Sequence, residues 1–466
     1  MRRHFAKAFA TFLLIQFFLF LNASAQSVSL WLTNKEETAL LSKQSSTFNF
    51  SSATNTNSAV VDINPEDKFQ TIDGFGFALT GGSAQHLLKM SAAARTKLLS
   101  NLFGNGEHGI GISYLRLSIG ASDLNDHVFS YNDLKKGETD PQLKKFNLNV
   151  DKVEVIPVLK EVLAINPKIK VMASPWSAPT WMKTNNNIQG GKLKEEYYRV
   201  YANYFLKYIQ EMKKAGITID AITLQNEPFN NGNTPSMHMF AKEQLRFIRD
   251  HLGPLFKANR IKTKIILYDH NCDAPEYPIS ILTDPAAAKY IDGSGFHLYT
   301  GQTSAMSKVH DAFPEKNLYF TEMMAVSRNG FNIATPVDRI LIGATRNWSK
   351  NVILWNLAAN AKYEPHTDNG GCSICQGAVT IEKDEVIKNT AYYVIGHASK
   401  FVVPGSVRIA STQFADVGTV AFLTPAHQVV LIAANKGQAG QTFNIRYKGK
   451  MIAVNLAAGA VGTYVW

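Results

Sequence analysis

The chain has 466 residues, 45% of them apolar and 18% charged, a balance that excludes disordered, collagen-like and disulfide-dense classes and suits one large domain with a smaller companion. Its formal charge of +11 is carried by lysines scattered over helical segments such as 194–199 and 207–214. That pattern makes a solvated basic surface rather than a nucleic-acid-reading patch.

At the N-terminus Arg2, Arg3 and Lys7 precede an apolar run at 9–21, and Ala23-Ser24-Ala25 offers small residues before Gln26. This is the pattern of a secretory signal peptide over 1–25, because the run is shorter than the roughly 20 residues that a membrane span needs. No cysteine stands at the cleavage site and no later apolar run spans a bilayer. We therefore expect a soluble monomer that is secreted, periplasmic or on the cell surface. Removal of the leader lowers the charge to +8, from 45 Lys and Arg against 37 Asp and Glu.

The segment 26–65 is rich in Ser, Thr, Asn and Val with short alternations such as Ala59-Val60-Val61-Asp62-Ile63, which is strand composition. Over 66–391 strands are predicted at 72–79, 112–119, 169–174, 221–224, 264–268, 293–298, 318–321 and 352–355. Helical patterns lie between them at 91–102, 153–165, 194–215, 237–252, 284–290 and 336–348. Eight such units predict an α/β fold, a (β/α)8 TIM barrel with long insertions in several βα loops. A doubly wound sheet fits less well, since Gly74, Gly76, Gly81 and Gly82 miss the spacing of a phosphate-binding fingerprint and read as turn and close-packing glycines. From 392 to 466 short strands separated by Pro404-Gly405 and Asn435-Lys436-Gly437 predict a side β-sandwich that recruits the N-terminal segment.

Three cysteines, Cys272, Cys372 and Cys375, leave at least one thiol free unless it pairs between molecules. Cys372-Ser373-Ile374-Cys375 lacks the second Cys or His pair of a zinc site, so no metal or other cofactor is expected. A loop-pinning disulfide is the other reading, with its partners left open.

In a (β/α)8 barrel the C-terminal strand ends meet at one mouth, so residues distant in sequence become neighbours. The second strand supplies Arg116 and Asp123, the third Trp176, the fourth Asn226 and Glu227, and the fifth Tyr268, Asp269 and His270. The sixth supplies His297 and Tyr299, the seventh Glu322, and the eighth Trp355 and Asn356. Flat aromatic faces and a belt of carboxylates and amides suit a pyranose ring, which stacks on the former and hydrogen-bonds the latter. Glu227 and Glu322, each ending a strand, are the candidate catalytic pair, because glycoside hydrolysis needs one protonated and one ionised carboxyl. Asp123, Trp176, Asn226, His297, Tyr299, Trp355, Arg116 and Tyr268 are the candidate substrate-binding residues. A non-catalytic carbohydrate-binding protein is the alternative of another class; loss of either glutamate would favour it, and both are present.

Asp73-Gly74-Phe75-Gly76, Ala173-Ser174-Pro175-Trp176, Pro179-Thr180-Trp181-Met182-Lys183-Thr184-Asn185, Gln225-Asn226-Glu227-Pro228, Phe320-Thr321-Glu322 and Trp355-Asn356-Leu357 occur in this order. Together they resemble glycoside hydrolase family 30, which includes lysosomal glucosylceramidases and microbial endo-β-1,6-glucanases, and the tail from Gly396 resembles that family's side domain. The resemblance implies a retaining mechanism with Glu227 as acid/base and Glu322 as nucleophile. It also implies that Asn226 bonds the sugar 2-hydroxyl, that Asp123, Trp176 and Trp355 hold the ring, that Arg116 orients carboxylates and that Tyr299 sits near Glu322. The 268–273 and 369–377 loops resemble the β-1,6-glucanase branch, although Gln376 stands where that branch carries Arg. His297-Leu298-Tyr299 replaces the His-Trp-Tyr of glucosylceramidases. The expected substrate is therefore a β-1,6-linked glucan; glucosylceramide hydrolysis and exo-acting β-glucosidase or β-xylosidase activity are the enzyme alternatives.

Overall fold

Short apolar strands alternating with amphipathic helices bury themselves most simply by closing a parallel sheet on itself, and this chain does so. A computed structural model describes residues 27–52, 58–326 and 330–466, and the expected leader at 1–25 lies outside them. The barrel strands are β1 Gly74–Leu79, β2 Tyr114–Ser118, β3 Lys170–Ser174, β4 Ala221–Thr223, β5 Lys264–Cys272, β6 Ile291–Gly301, β7 Asn317–Glu322 and β8 Ser349–Leu354. They pair in parallel in this order, and β8 returns to β1 to close the ring. Gly76 lets the backbones approach where they must, since a Cβ there would stand 1.8 Å from the Tyr114 carbonyl oxygen.

Eight strands stand where the sequence predicts them, with β5 and β6 running longer at their C-terminal ends. The helix Ala92–Phe103 shows how the outer ring forms: Ser91 caps it by accepting from the Ala94 amide, and Leu98, Leu99, Leu102 and Phe103 turn inward. No helix among the described residues is long and apolar enough to cross a membrane.

The strands' period of two builds the barrel interior in layers. Tyr114, Met172, Ala221, Ile266, Tyr319 and Ile353 pack together across the axis as one buried apolar layer. Two residues farther on, toward the mouth, stand Arg116, Ser174, Thr223, Thr321 and Trp355, all buried. On β5 the same count leads from Ile266 to Tyr268, but Tyr268 and Asp269 have positive φ (71° and 64°) and the pairing with β6 slips between Tyr268 and His270. That bulge turns Asp269 into the axis in place of Tyr268.

Of the remaining strands, Ala358–Ala359, Val379–Glu382 and Glu385–Lys388 make a small three-stranded sheet, and nine form one sheet that curls around its own core of Val28, Val61, Leu431, Phe443, Ile445 and Tyr464 among others. Three N-terminal strands, Ser27–Thr33, Ser42–Asn49 and Ala59–Thr71, take their places in it, the first beside Val461–Val465 and the third between Gln441–Tyr447 and Val407–Ser411. Helical structure continues beyond 392, where only strands were expected. The apolar helix Thr390–Ser399 is wholly buried, and it packs into the barrel's core rather than joining the sheet.

That helix carries the junction between the two cores. His397, fully buried, places Nδ1 2.8 Å from Thr463 Oγ1 and Nε2 2.8 Å from Thr33 Oγ1, on the last and first strands of the sheet. Thr463 also donates to the His397 carbonyl, and Thr33 accepts from the Leu41 amide. Both patterns are satisfied by a neutral ring with its proton on Nδ1. Burial holds its pKa down to about 3. A depressed folded-state value means that this stability is fully present above the unfolded pKa of about 6.5 and is lost as pH falls toward 3. We expect wild type to lose up to about 4 kcal/mol more than His397→Asn between pH 7 and pH 3. Urea unfolding of both proteins across that range measures it, and parallel curves would show that the ring titrates normally.

Candidate active site

Glu227 stands four residues beyond the end of β4, with Pro228 after it, and its own φ of 49° is a left-handed conformation unusual for a residue other than glycine. Its amide donates to the Asp269 carbonyl at 3.0 Å, and the preceding Asn226 amide to the Pro175 carbonyl at 2.8 Å. The turn is thus pinned to the strand ends on either side, and it sends the Glu227 carboxyl into the mouth. Glu322 arrives there as the last residue of β7, where the register with β6 shifts between Phe320 and Glu322.

One imidazole nitrogen stands between the two glutamates. His297 Nδ1 lies 3.2 Å from Glu227 Oε1 and 3.9 Å from Glu322 Oε1, while Nε2 faces Asp269 Oδ1 at 3.1 Å. Asn230 and Asn233 donate to Glu227 Oε2 at 2.6 and 3.3 Å. Glu322 accepts from the Tyr299 hydroxyl at 2.9 Å and from Arg116 Nη1 at 2.5 Å. Arg116, completely buried, also reaches Asn226 Oδ1 at 2.7 Å, Asp269 Oδ2 at 2.9 Å and Ser174 Oγ at 3.2 Å. Its guanidinium lies 4.9 Å from the ring centre of Trp176, which stacks on Trp355 at 5.3 Å.

Beneath this layer Asp269 accepts five bonds from five strands: Arg116 on β2, Ser174 on β3, Thr223 on β4, His297 on β6 and Thr321 on β7. Burial opposes its ionisation, but Arg116 and the His297 hydrogen bond overcome that and hold the carboxyl well below the usual carboxylate range. Burial likewise works against charge on Glu227, yet the hydrogen bond and charge of His297, with His270 and Asn230, hold it down to about 2. His297 is pushed up to about 9 against its own burial by Glu322, Asp269 and Glu227. Burial raises Glu322, opposed by His297 and Arg116. Asp123 is raised to about 7 by burial and by the charges of both glutamates. His270 is lowered to about 4, chiefly by burial, and is neutral at ordinary pH.

A cavity of about 430 Å³ opens over these groups, and Asp123, Glu227, Tyr299, Glu322 and Trp355 line it. Arg116, Asn226, His297 and Trp176, expected to touch substrate, do not line it: Arg116 and His297 are buried behind Glu322 and Glu227, Asn226 behind Arg116, and Trp176 behind Trp355. Tyr268, expected to touch substrate, does not reach the cavity: the bulge on β5 turns it away, and its hydroxyl donates to the Asn271 carbonyl at 2.5 Å. His270 and Asn271 line the cavity instead. Sequence reasoning passed over Asn230 and Asn233, whose signal was the amide-rich run directly after Pro228, and over Phe229. Cys372 and Cys375 form a disulfide that walls one side, while Cys272 is a free, buried thiol. Glu227, His270 and His297 each bring a donor atom within 4.8 Å of the others, the one grouping among the described residues that could chelate a cation.

Two family models match in succession: the glycosyl hydrolase family 30 TIM-barrel domain over residues 72–402 and that family's beta sandwich domain over 405–464. The endo-1,6-beta-D-glucanase neg1 of Aspergillus fumigatus is 35% identical over 357 residues, 72% of either chain. The lysosomal acid glucosylceramidase of Mus musculus is 28% identical over 435 residues, covering 87% of this chain and 82% of its own. Among solved structures, the endo-beta1,6-glucanase BT3312 superposes with a TM-score of 0.87 at 34% identity, over 94% of this chain and 99% of that one.

The five bonds to Asp269 make a stability prediction. Removing one member of a buried, hydrogen-bonded ion pair leaves its partner uncompensated and costs about 3–5 kcal/mol. Asp269→Asn should lose that much in urea denaturation, and a loss below about 1 kcal/mol would show that Glu322 alone is counter-ion enough for Arg116.

Proposed function

Because the chain belongs to glycosyl hydrolase family 30, we propose that it is an exported retaining hydrolase of β-1,6-linked glucan, with Glu322 as nucleophile and Glu227 as acid/base. The observation that carries the mechanism is the single imidazole nitrogen within 4 Å of both carboxylates. These contacts hold the two Oε1 atoms within about 7 Å of each other, which accommodates the roughly 5–5.5 Å between carboxyl groups in retaining enzymes, where no water has to fit under the sugar.

Arg116 gives Glu322 a permanent counter-ion at 2.5 Å, and Tyr299 a second donor. Glu322 is therefore the carboxylate poised to attack the anomeric carbon. Glu227 must hold a proton to assist the leaving oxygen, whereas its low pKa belongs to a site in which His297 is an imidazolium. Transfer of the Nδ1 proton to Glu227 Oε1 along their 3.2 Å hydrogen bond resolves this without changing the site's total charge. It leaves a neutral ring whose Nε2–H still donates to Asp269. Glu227 is then a neutral acid with no cation beside it, and Glu322 keeps Arg116. After glycosyl transfer to Glu322, ionised Glu227 takes a proton from the incoming water.

Trp355, backed by Trp176, offers the flat face for the glucose held between the glutamates, and Asp123 a carboxylate for its hydroxyls. Support for the β-1,6 linkage comes from the activities named for neg1 and BT3312 and from rim insertions at 122–149 and 228–235 rich in Asn, Asp, Gly, Lys and Thr. A ceramide-processing mouth would need an apolar apron. Export rests on the leader pattern of 1–25.

Azide rescue separates the two roles. Glu322→Ala should be inactive on every substrate, and azide should restore turnover while giving the α-glycosyl azide. Glu227→Ala should keep glycosylation of substrates with good leaving groups, and azide should accelerate its slow second step to the β-azide. Exchange of the two products between the variants would reverse the assignment. On linear glucans, kcat/KM for the β-1,6 linkage should exceed that for β-1,3 or β-1,4 by at least about tenfold, roughly 1.4 kcal/mol of transition-state binding. Faster turnover of glucosylceramide by the same preparation would move the substrate, though not the mechanism, to the glucosylceramidase branch.

A further inference from the structure

The strand order fixes two opposite walls of the cavity. In a closed ring of eight, the loops after β4 and β5 face those after β8 and β1 across the mouth. Trp355 follows β8 and is joined in one apolar cluster by Ala78, Leu124, Trp176 and Cys375. On the proposed mechanism that wall holds the sugar that becomes bonded to Glu322. Glu227 gives its proton to the oxygen linking this sugar to the next, so the departing sugar lies on the far side of Glu227, against the loops after β4 and β5.

Two side chains there make no direct contact with the reacting groups in the chemistry described so far, His270 Nδ1 standing 3.9 Å from Glu227 Oε1. Phe229, two residues beyond Glu227, is 38% exposed although it is one of the few large apolar side chains so placed. Its ring is held by Phe240 at 5.8 Å, His270 at 5.6 Å and Tyr277 at 5.5 Å, and it lines the cavity. A ring fixed by three aromatic neighbours and still open to a carbohydrate-sized space is preorganised to stack under a sugar at little entropic cost. His270, also in the lining, is more than nine-tenths buried, and its Nδ1 has no hydrogen-bond partner. The neighbouring Asn230 and Asn233 bond Glu227 and leave it unserved. A buried nitrogen left without a partner is unfavourable, and a ligand hydroxyl would recover that loss.

We propose that Phe229 and His270 form the subsite for the leaving glucose, Phe229 stacking under its apolar face and His270 Nδ1 bonding one of its hydroxyls, and that this pair selects for the β-1,6 linkage. The chemistry of the linkage explains the selection. A glucose attached through O6 hangs from an exocyclic CH2, so its ring lies one bond farther from Glu227 than a ring attached through O3 or O4 and can turn flat onto a platform beyond the acid. Rings attached directly meet the acid first and present an edge. The inference rests on Glu227 being the acid.

The test compares a leaving group that reaches the platform with one that does not: a β-1,6-linked glucose trimer against β-glucosyl fluoride. Phe229→Ala should lower kcat/KM for the trimer at least tenfold more than for the fluoride, and Phe229→Tyr should recover most of it. His270→Ala should show the same bias at a smaller scale, about threefold, and thermal unfolding of each variant monitors the fold. With the fluoride as donor and glucose as acceptor, Phe229→Ala should also raise the acceptor concentration needed for half-maximal transfer. Equal losses on both donors, or no loss on the trimer, would overturn the subsite. Failure of wild type to turn over β-glucosyl fluoride would instead bring down the retaining β-glucosidase reading, and the subsite with it.

Discussion

The carboxylate of Asp269 is the interaction on which the site depends. It is wholly buried, and a buried charge persists only where its lone pairs are filled. Here Oδ2 takes Arg116, Ser174 and Thr223, and Oδ1 takes His297 and Thr321. Five strands therefore end on one residue of a sixth, which positions the upper part of the barrel around a point rather than along pairwise ladders alone. Two of the five donors continue upward: Arg116 to Glu322, and His297 to Glu227. The spacing of the glutamates is consequently set by the same bonds that tie the strand ends together, and a rotation of either glutamate would have to break a bond to the axis.

Delivering a carboxylate to that axis required the backbone to leave the regular strand. Tyr268 and Asp269 on β5 and Glu227 after β4 all have positive φ, a region costing about 1–3 kcal/mol for residues other than glycine. The departures are coupled, because the Glu227 amide donates to the Asp269 carbonyl at 3.0 Å. Each strained residue thus gives the other its hydrogen bond, and strain is concentrated where two side chains must point into the mouth from neighbouring strands. Glu322 needs no positive φ: alternation on β7 gives Tyr319 and Thr321 to the interior, and the register with β6 shifts between Phe320 and Glu322, where the carboxyl enters the mouth.

Why some of this could be read from the sequence, and some could not, follows from the same contrast. Regular alternation is legible: the apolar interior residues Tyr114, Ala221, Tyr319 and Ile353 are each followed two positions later by Arg116, Thr223, Thr321 and Trp355. Glu227 and Glu322 were legible because an acid beside a short apolar run has little other use. The β5 bulge was not, since Tyr268-Asp269-His270 contains no glycine or proline to announce a break in period, and the count lands on Tyr268. Asp269 was therefore only one of three residues at a strand end. The helix Thr390–Ser399 was lost for the opposite reason: buried on all sides, it has no polar face from which a helical period could be read. The disulfide pairing, left open by sequence, depends on a loop whose course is decided by tertiary contacts.

That loop completes an asymmetry. From it the Thr367 amide donates to the Asp123 carbonyl at 2.9 Å and the Thr367 hydroxyl to the Thr234 carbonyl at 2.6 Å, while Cys375, bonded to Cys372, packs with Trp176 and Trp355. One short segment thereby ties together the loops after β2 and β4 and the tryptophan after β8. The wall after β4 and β5, which this segment reaches at Thr234, presents asparagines that bond Glu227 and an exposed Phe229. A two-step displacement has uneven demands of this kind. One sugar must stay fixed through both steps while its neighbour is released and water takes its place. On the proposed mechanism, the disulfide-backed tryptophan wall on one side and the open aromatic ledge on the other would suit those demands.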